Sequence, residues 1–393
     1  MHVGILGLQF QPGAMGGVEN YLRLLPLAGS HFSGDDRLTL LGGRRNQDIL
    51  RNMAGRCAYQ TVHPTFGQLL RRASIYLGRN LSGRNYLGQL EDRVTLEGFD
   101  IVHYPFSVLL PHVTSRHKLK TVVTIHDLQH VEYPTFFSKA ELTYREREYA
   151  RAAHEADLVL TDSEYSRKMI IARYHIAPER IKAYYPGIDV EYFRGVDEVA
   201  VSGYLAKHGI HNRYLLYPAA PWPHKNHDRL LLALKNITIQ RDFKGSLVLC
   251  GVYNSFRRNL EKLIVDNGLV DFVKVLGYVS RGDLRLLYSG ATALVYPSLY
   301  EGFGFPVLEA MASGTPVICS NRTSLPELGG DCVRYIEPTD VTSIMEGIVA
   351  VWGDASTQLK YRDLGTKHVD KFNLVNASEN LYRLYRTLYD NQQ

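Results

Sequence analysis

Residues 293–321 read Ala293-Leu-Val-Tyr-Pro-Ser298, then Leu299-Tyr-Glu301-Gly-Phe-Gly-Phe-Pro-Val-Leu-Glu309-Ala-Met-Ala-Ser-Gly-Thr-Pro-Val-Ile-Cys-Ser-Asn321. A short β-branched apolar run, a Gly-rich loop, a helical stretch and a second apolar run follow one another, which is the order of a strand-helix-strand unit in a parallel sheet. Small residues at 302 and 304 let backbone approach a ligand, and free amides at the helix start attract anionic or hydroxylated groups. Glu301 falls at the end of the strand and Glu309 about one turn into the helix. An ionised carboxylate accepts two hydrogen bonds side by side, so one of these acids suits sugar hydroxyls and the other a ribose diol.

The same alternation runs outward in both directions. In the first half the apolar runs are 2–10, 38–42, 100–105, 121–127, 157–163 and 181–187; in the second half they are 213–220, 246–251, 273–278, 293–298 and 316–321, with 333–338 as a shorter sixth. Helical stretches separate them, so the chain reads as α/β with two doubly wound, Rossmann-like domains. At 393 residues it exceeds the size at which one core stops growing. The expected division is 1–190, 191–372 and a C-terminal helix over 373–393 whose apolar face crosses back to the first domain. Ligands of such folds bind beyond the carboxyl ends of the strands, in a cleft between the two domains.

Composition is that of an ordinary globular protein, with 45% hydrophobic and 22% charged residues. Four cysteines without a CxxC pair read as reduced core residues in a cytoplasmic protein. The opening MHVGILGLQF reads as a core strand and not as a signal peptide. No apolar run reaches the roughly 18 to 20 residues of a membrane span, which leaves only peripheral membrane contact. Residues 44–93 carry nine arginines (44, 45, 51, 56, 71, 72, 79, 84 and 93) against Asp48, Glu91 and Asp92. This suits either a solvated helical face or attraction to an anionic membrane surface, with Phe66, Leu69, Leu70, Ala73 and Leu77 at helical spacing. No nucleic-acid recognition motif accompanies the charge.

Three more junctions carry candidate chemistry. Gly16 and Gly17 lie between the first strand and a helix; a nicotinamide site would want GxGxxG there with an acid about 20 residues on, and Asp35-Asp36 offers only a loose match. His126 ends the run TVVTIHD, and Lys225 lies in PAAPWPHKNHDRLLLAL. No HExxH or paired-cysteine spacing supports a metal site.

The block from Glu301 to Val317 resembles glycosyltransferase family four, the retaining GT-B enzymes, whose pattern is EGFGxPxxEAMAxGxPV. The segments AHEADLVLTDSEYSRKMI and YYPGIDVEYF resemble two further blocks of that family, although Tyr185-Pro186 replaces its usual asparagine. The resemblance implies GT-B architecture and transfer of a hexose from a nucleoside diphosphate to an acceptor hydroxyl without a metal. It implies catalytic roles for Glu301, His126 and Lys225: Glu301 and His126 on the donor sugar, Lys225 on the diphosphate. It implies donor contacts at Gly16, Gly17, Gly302, Phe303, Gly304 and Phe305, the base near Val279 and ribose on Glu309. Many members carry an arginine six residues before the lysine, where this chain has Ala219. The His224-Lys225-Asn226 variant resembles bacterial mannosyltransferases of surface-polysaccharide synthesis, which makes GDP-mannose the first expected donor and a glycan or lipid-linked oligosaccharide the expected acceptor. A sugar-nucleotide epimerase and a non-catalytic sugar-nucleotide-binding protein are the alternatives.

Overall fold

The computed structural model describes residues 1–11, 16–55, 57–62, 93–114, 119–240, 243–251 and 257–391. Most of the arginine-rich segment, including Arg71, Arg72 and the helically spaced apolar residues between 66 and 77, lies outside them. The chain forms two compact units: Met1–His130, Phe137–Pro186 and Val375–Gln393 make the first, and Val131–Phe136 with Gly187–Leu374 the second.

The first unit is built on a parallel sheet of β1 (His2–Leu6), β2 (Arg37–Gly42), β3 (Ala58–Thr61), β5 (Ile101–Tyr104), β7 (Lys120–Thr124), β8 (Leu158–Thr161) and β9 (Ile181–Ala183), in the order β3-β2-β1-β5-β7-β8-β9. Short strands β4 (Arg93–Thr95) and β6 (His112–Thr114) pair separately. The central strands are buried on both faces, so they read as continuous apolar runs. β3 escapes that reading because it is an edge strand, AYQT, with no residue fully buried. The C-terminal helix Leu374–Asp390 inserts Leu381 and Tyr385, both fully buried, into the core formed by Val3, Ile5, Leu22, Leu40 and Ile101. Each such side chain contributes about 1.5–3 kcal/mol of burial, which fixes the helix on this unit.

The second unit repeats the plan with β10 (Tyr214–Pro218), β11 (Ser246–Cys250), β12 (Val273–Gly277), β13 (Ala293–Tyr296), β14 (Val317–Ser320) and β15 (Arg334–Ile336), ordered β12-β11-β10-β13-β14-β15. Six apolar runs of the sequence became these six strands. The order in which strands are added reverses between β10 and β13, and between β1 and β5 in the first unit, while the strands stay parallel. At such points the loops from neighbouring strands diverge to opposite faces of the sheet and leave a crevice at the carboxyl ends.

Candidate active site

The reversal in the second unit explains why Lys225 and Glu301, 76 residues apart, meet. Lys225 follows β10 and Glu301 follows β13, and these strands are neighbours. The Lys225 ammonium donates to Glu301 Oε1 at 2.6 Å and to the Tyr296 hydroxyl at 3.1 Å. The two side chains are only 15% and 11% exposed, so water screens the pair weakly. Burial pushes the Glu301 carboxyl upward, but Lys225 outweighs it and holds the group below its usual range as a carboxylate. Burial and the Glu301 charge raise the Tyr296 phenol well above 10, so it stays neutral.

Local geometry holds both partners. Pro223–Lys225 is one 3₁₀ turn, closed by Asn226 in the left-handed region at φ 61°. Asn226 is fully buried, and its amide donates to the carbonyls of Pro297 at 2.9 Å and Pro338 at 2.7 Å, which ties the lysine loop to the end of β13. The Tyr217 hydroxyl donates to the Lys225 carbonyl at 2.5 Å. The Glu301 backbone N–H donates to Thr323 Oγ1 at 3.1 Å, and the Ser324 hydroxyl lies 3.0 Å from the Glu301 carbonyl. Burial and Lys225 push His224 down to about 3, and burial pushes His227 down to about 4, so both imidazoles are neutral beside the ammonium.

The Gly-rich loop enters helix Phe305–Ala312 through Gly304 at φ 127°. A Cβ there would lie 2.7 Å from Leu325 Cδ2, so the position excludes side chains on two grounds. The rings of Phe303 and Phe305 are buried and meet at 5.0 Å, which leaves backbone groups as what they can offer a ligand. Glu309 is buried, and its Oε2 accepts from the Tyr288 hydroxyl at 2.9 Å. Burial raises its pKa, opposed by that hydrogen bond and by Arg281. Val279 is half-buried in the loop between β12 and helix Arg281–Gly290.

His126 belongs to the first unit, in the loop that follows β7. Its Nδ1 lies 2.7 Å from Asp162 Oδ2 and its Nε2 2.9 Å from the Pro105 carbonyl. Gly16, at φ 54°, caps helix Gly17–Leu24 beyond β1, and that helix brings the Tyr21 ring edge-on to His126 at 4.9 Å. Gly13 lies outside the described residues. Asp162, Tyr288 and Tyr296 escaped the sequence reading. Each makes its contact to a residue 21 to 71 positions away, and for Asp162 the one available signal was an acid at the end of an apolar run. Among the described residues no group of three or more His, Cys, Asp or Glu is placed to hold a metal ion, and no helix is long and apolar enough to cross a membrane.

Known proteins carry the same plan. Residues 49–192 match the model of Glycosyltransferase Family 4, and residues 206–368 that of Glycosyl transferases group 1. O-antigen chain mannosyltransferase B of Escherichia coli is 32% identical over 294 residues, which span 74% of this chain and 75% of that one. O-antigen chain mannosyltransferase RfbU of Salmonella typhimurium is 33% identical over 228 residues, covering 58% and 59%. Among solved structures, HepE of Anabaena in complex with UDP and glucose superposes with a TM-score of 0.72 at 18% identity, over 98% of this chain and 100% of that one. WaaG, a glycosyltransferase involved in lipopolysaccharide biosynthesis, gives 0.67 at 19%, over 97% and 99%. The structural likeness establishes the GT-B fold with its two Rossmann-like domains, and with the sequence relationship it leads to one conclusion: the chain belongs to glycosyltransferase family 4.

Proposed function

We propose that this glycosyltransferase moves mannose from GDP-mannose to a hydroxyl of a glycan or lipid-linked oligosaccharide, with retention of configuration and without a metal ion. The observation that carries this reading is the buried Lys225–Glu301 pair at 2.6 Å beside a Gly-rich helix start. The mannosyltransferase relatives favour the sugar.

Lys225 gives one ammonium hydrogen to Glu301 and one to Tyr296. A third is left for an incoming diphosphate, whose negative charge also draws the ammonium from Glu301. Glu301 then turns its carboxylate to sugar hydroxyls, and Glu309, braced by Tyr288, accepts from the ribose. In the chemical step the bond from the anomeric carbon to the phosphate oxygen breaks, and the acceptor oxygen bonds on the same face. The acceptor proton passes to the departing phosphate oxygen. Charge grows on that phosphate as the bond breaks, and a fixed ammonium in a site shielded from water stabilises it where it is largest. Neutral His224 and His227 add no competing charge.

A thermal-shift screen of GDP, UDP and dTDP with their sugars tests base and class together, because a ligand at 100 times its Kd stabilises by about 2.7 kcal/mol. The proposal expects the largest shift with GDP-mannose, and transfer that survives chelation by EDTA. Preference for a UDP-hexose would overturn the donor, and release of an altered sugar nucleotide without an acceptor would indicate an epimerase. Near-unchanged turnover in Glu301→Ala or Lys225→Ala would overturn the site. The charge of residues 44–93 further suggests that the acceptor is met at an anionic membrane, at the cytoplasmic face.

A further inference from the structure

His126 takes both of its ring partners from the strands that flank its own. β5 ends at Tyr104, and the carbonyl of the next residue, Pro105, faces Nε2 at 2.9 Å; β8 ends at Thr161, and the next residue, Asp162, faces Nδ1 at 2.7 Å. A carbonyl only accepts, so Nε2 carries a hydrogen and donates it. Nδ1 faces a carboxyl group, and one proton lies between them. If it rests on the ring, His126 is an imidazolium with both N–H groups committed, and neither nitrogen keeps a lone pair with which to act as a base.

The surroundings favour the ring. Burial alone lowers His126, but Asp162, then the Pro105 carbonyl and Asp127 in its own loop, raise it above its ordinary value; burial also raises Asp162, opposed by His126, and the carboxyl starts from the lower ordinary value of the two. The other titratable groups facing the pair are neutral. His103 on β5 is pushed down to about 3 by burial, while burial holds Tyr21, Tyr184 and Tyr385 above the ordinary phenol range. A buried hydrogen-bond chain keeps the Tyr21 ring against the imidazole. Tyr21 meets Thr124 Oγ1, Thr124 meets His103 Nε2, and His103 Nδ1 meets the Tyr385 hydroxyl of the C-terminal helix, each at 2.7 Å.

We propose that Asp162 is a positioning residue for sugar transfer: it keeps His126 doubly protonated and fixed in plane, so that the Nε2 hydrogen now given to the Pro105 carbonyl is the one a donor oxygen takes over. This rests on the reading that His126 meets the donor. The division of labour follows from bond strength. The Nδ1 bond joins opposite charges, whereas the Nε2 bond to the Pro105 carbonyl carries charge on the ring side alone, so the Pro105 contact is the one that gives way.

Asp162→Asn tests it, since an amide oxygen still accepts from Nδ1 but carries no charge. In the protein without donor, the His126 ring titration followed by NMR, assigned with His126→Asn, is expected to move to lower pH, with a protonation constant at least about tenfold smaller. In transfer assays kcat is expected to fall roughly ten- to a hundredfold near neutral pH, as when other orienting partners are removed. The loss should shrink as pH falls and protonates the ring directly, and the donor KM should hold. A ring titration that does not move overturns the proposal whatever the donor proves to be. A kcat loss by the same factor at every pH, or no loss at all, overturns it as well. Failure of wild-type protein to use any sugar nucleotide would instead refute the proposed function and leave the ring titration as the measurement that decides.

Discussion

Lys225→Met removes the ammonium and leaves the Glu301 carboxylate, 11% exposed, without its nearest counter-charge. Breaking a buried pair on one side costs about 3–5 kcal/mol, because the remaining ion keeps its desolvation penalty. For a unit of this size each kcal/mol moves the midpoint by about 2–4 °C, so the variant should melt about 6–20 °C below the native protein. The pH dependence has a definite sign. In the native protein Glu301 lies below its unfolded value, so its contribution is fully present above about pH 4.3 and is lost as pH falls through the lower folded value. Without Lys225 burial dominates and raises the folded value, so the variant is penalised at high pH and recovers as Glu301 takes up a proton. The gap between the two proteins should be widest near pH 7 to 8, narrow toward about pH 4.5 as the variant recovers, and close only at lower pH, where the native pair is lost as well. Lys225→Met/Glu301→Gln removes both charges and should regain most of the midpoint, whereas transfer should stay at least about a hundredfold down in either variant. Scanning fluorimetry across pH with parallel transfer assays measures both. A midpoint for Lys225→Met that matches the native protein at neutral pH, or a gap that does not narrow on acidification, would refute the argument.

Other outcomes follow from neighbouring contacts. Tyr288→Phe strips Glu309 of its 2.9 Å donor, and calorimetric titration should show the nucleotide binding roughly tenfold more weakly, with Glu309→Gln weaker still. His103 is held neutral in the fold, with its pKa pushed down to about 3. Its contribution is therefore present above the unfolded pKa and lost as pH falls, about 2 kcal/mol between pH 6.5 and 5. His103→Asn should flatten that acid slope in a pH-resolved denaturation series, and an unchanged slope would argue against a buried neutral ring. If the arginine-rich segment meets membranes, co-sedimentation with anionic vesicles should fall on Arg71→Glu/Arg72→Glu and in about 0.5 M salt, where the Debye length drops below half its value at 0.1 M.

The positions of Glu301, Lys225 and His126 in strand-to-helix loops, and of Glu309 in the helix that follows one, were readable from the sequence because glycines, prolines and apolar runs mark position by local pattern. The doubly wound class was readable for the same reason, since strands buried on both faces are apolar throughout. Contacts between distant residues left no local trace. Asp162 reaches His126 only because β8 lies beside β7, and Lys225 reaches Glu301 only because β13 returns to pair with β10. Edge strand β3 carries no apolar run and was missed.

Sequence alone therefore determined which residue types stand at the strand ends, and with them the family. The tertiary structure decided which ends are neighbours: that a carboxyl group 36 residues away faces His126 Nδ1, and that Tyr385, 282 residues from His103, closes a hydrogen-bond chain inside the first unit. The reason is physical. Periodicity and turn chemistry act over a few residues, whereas strand order is set by how the whole sheet buries its faces.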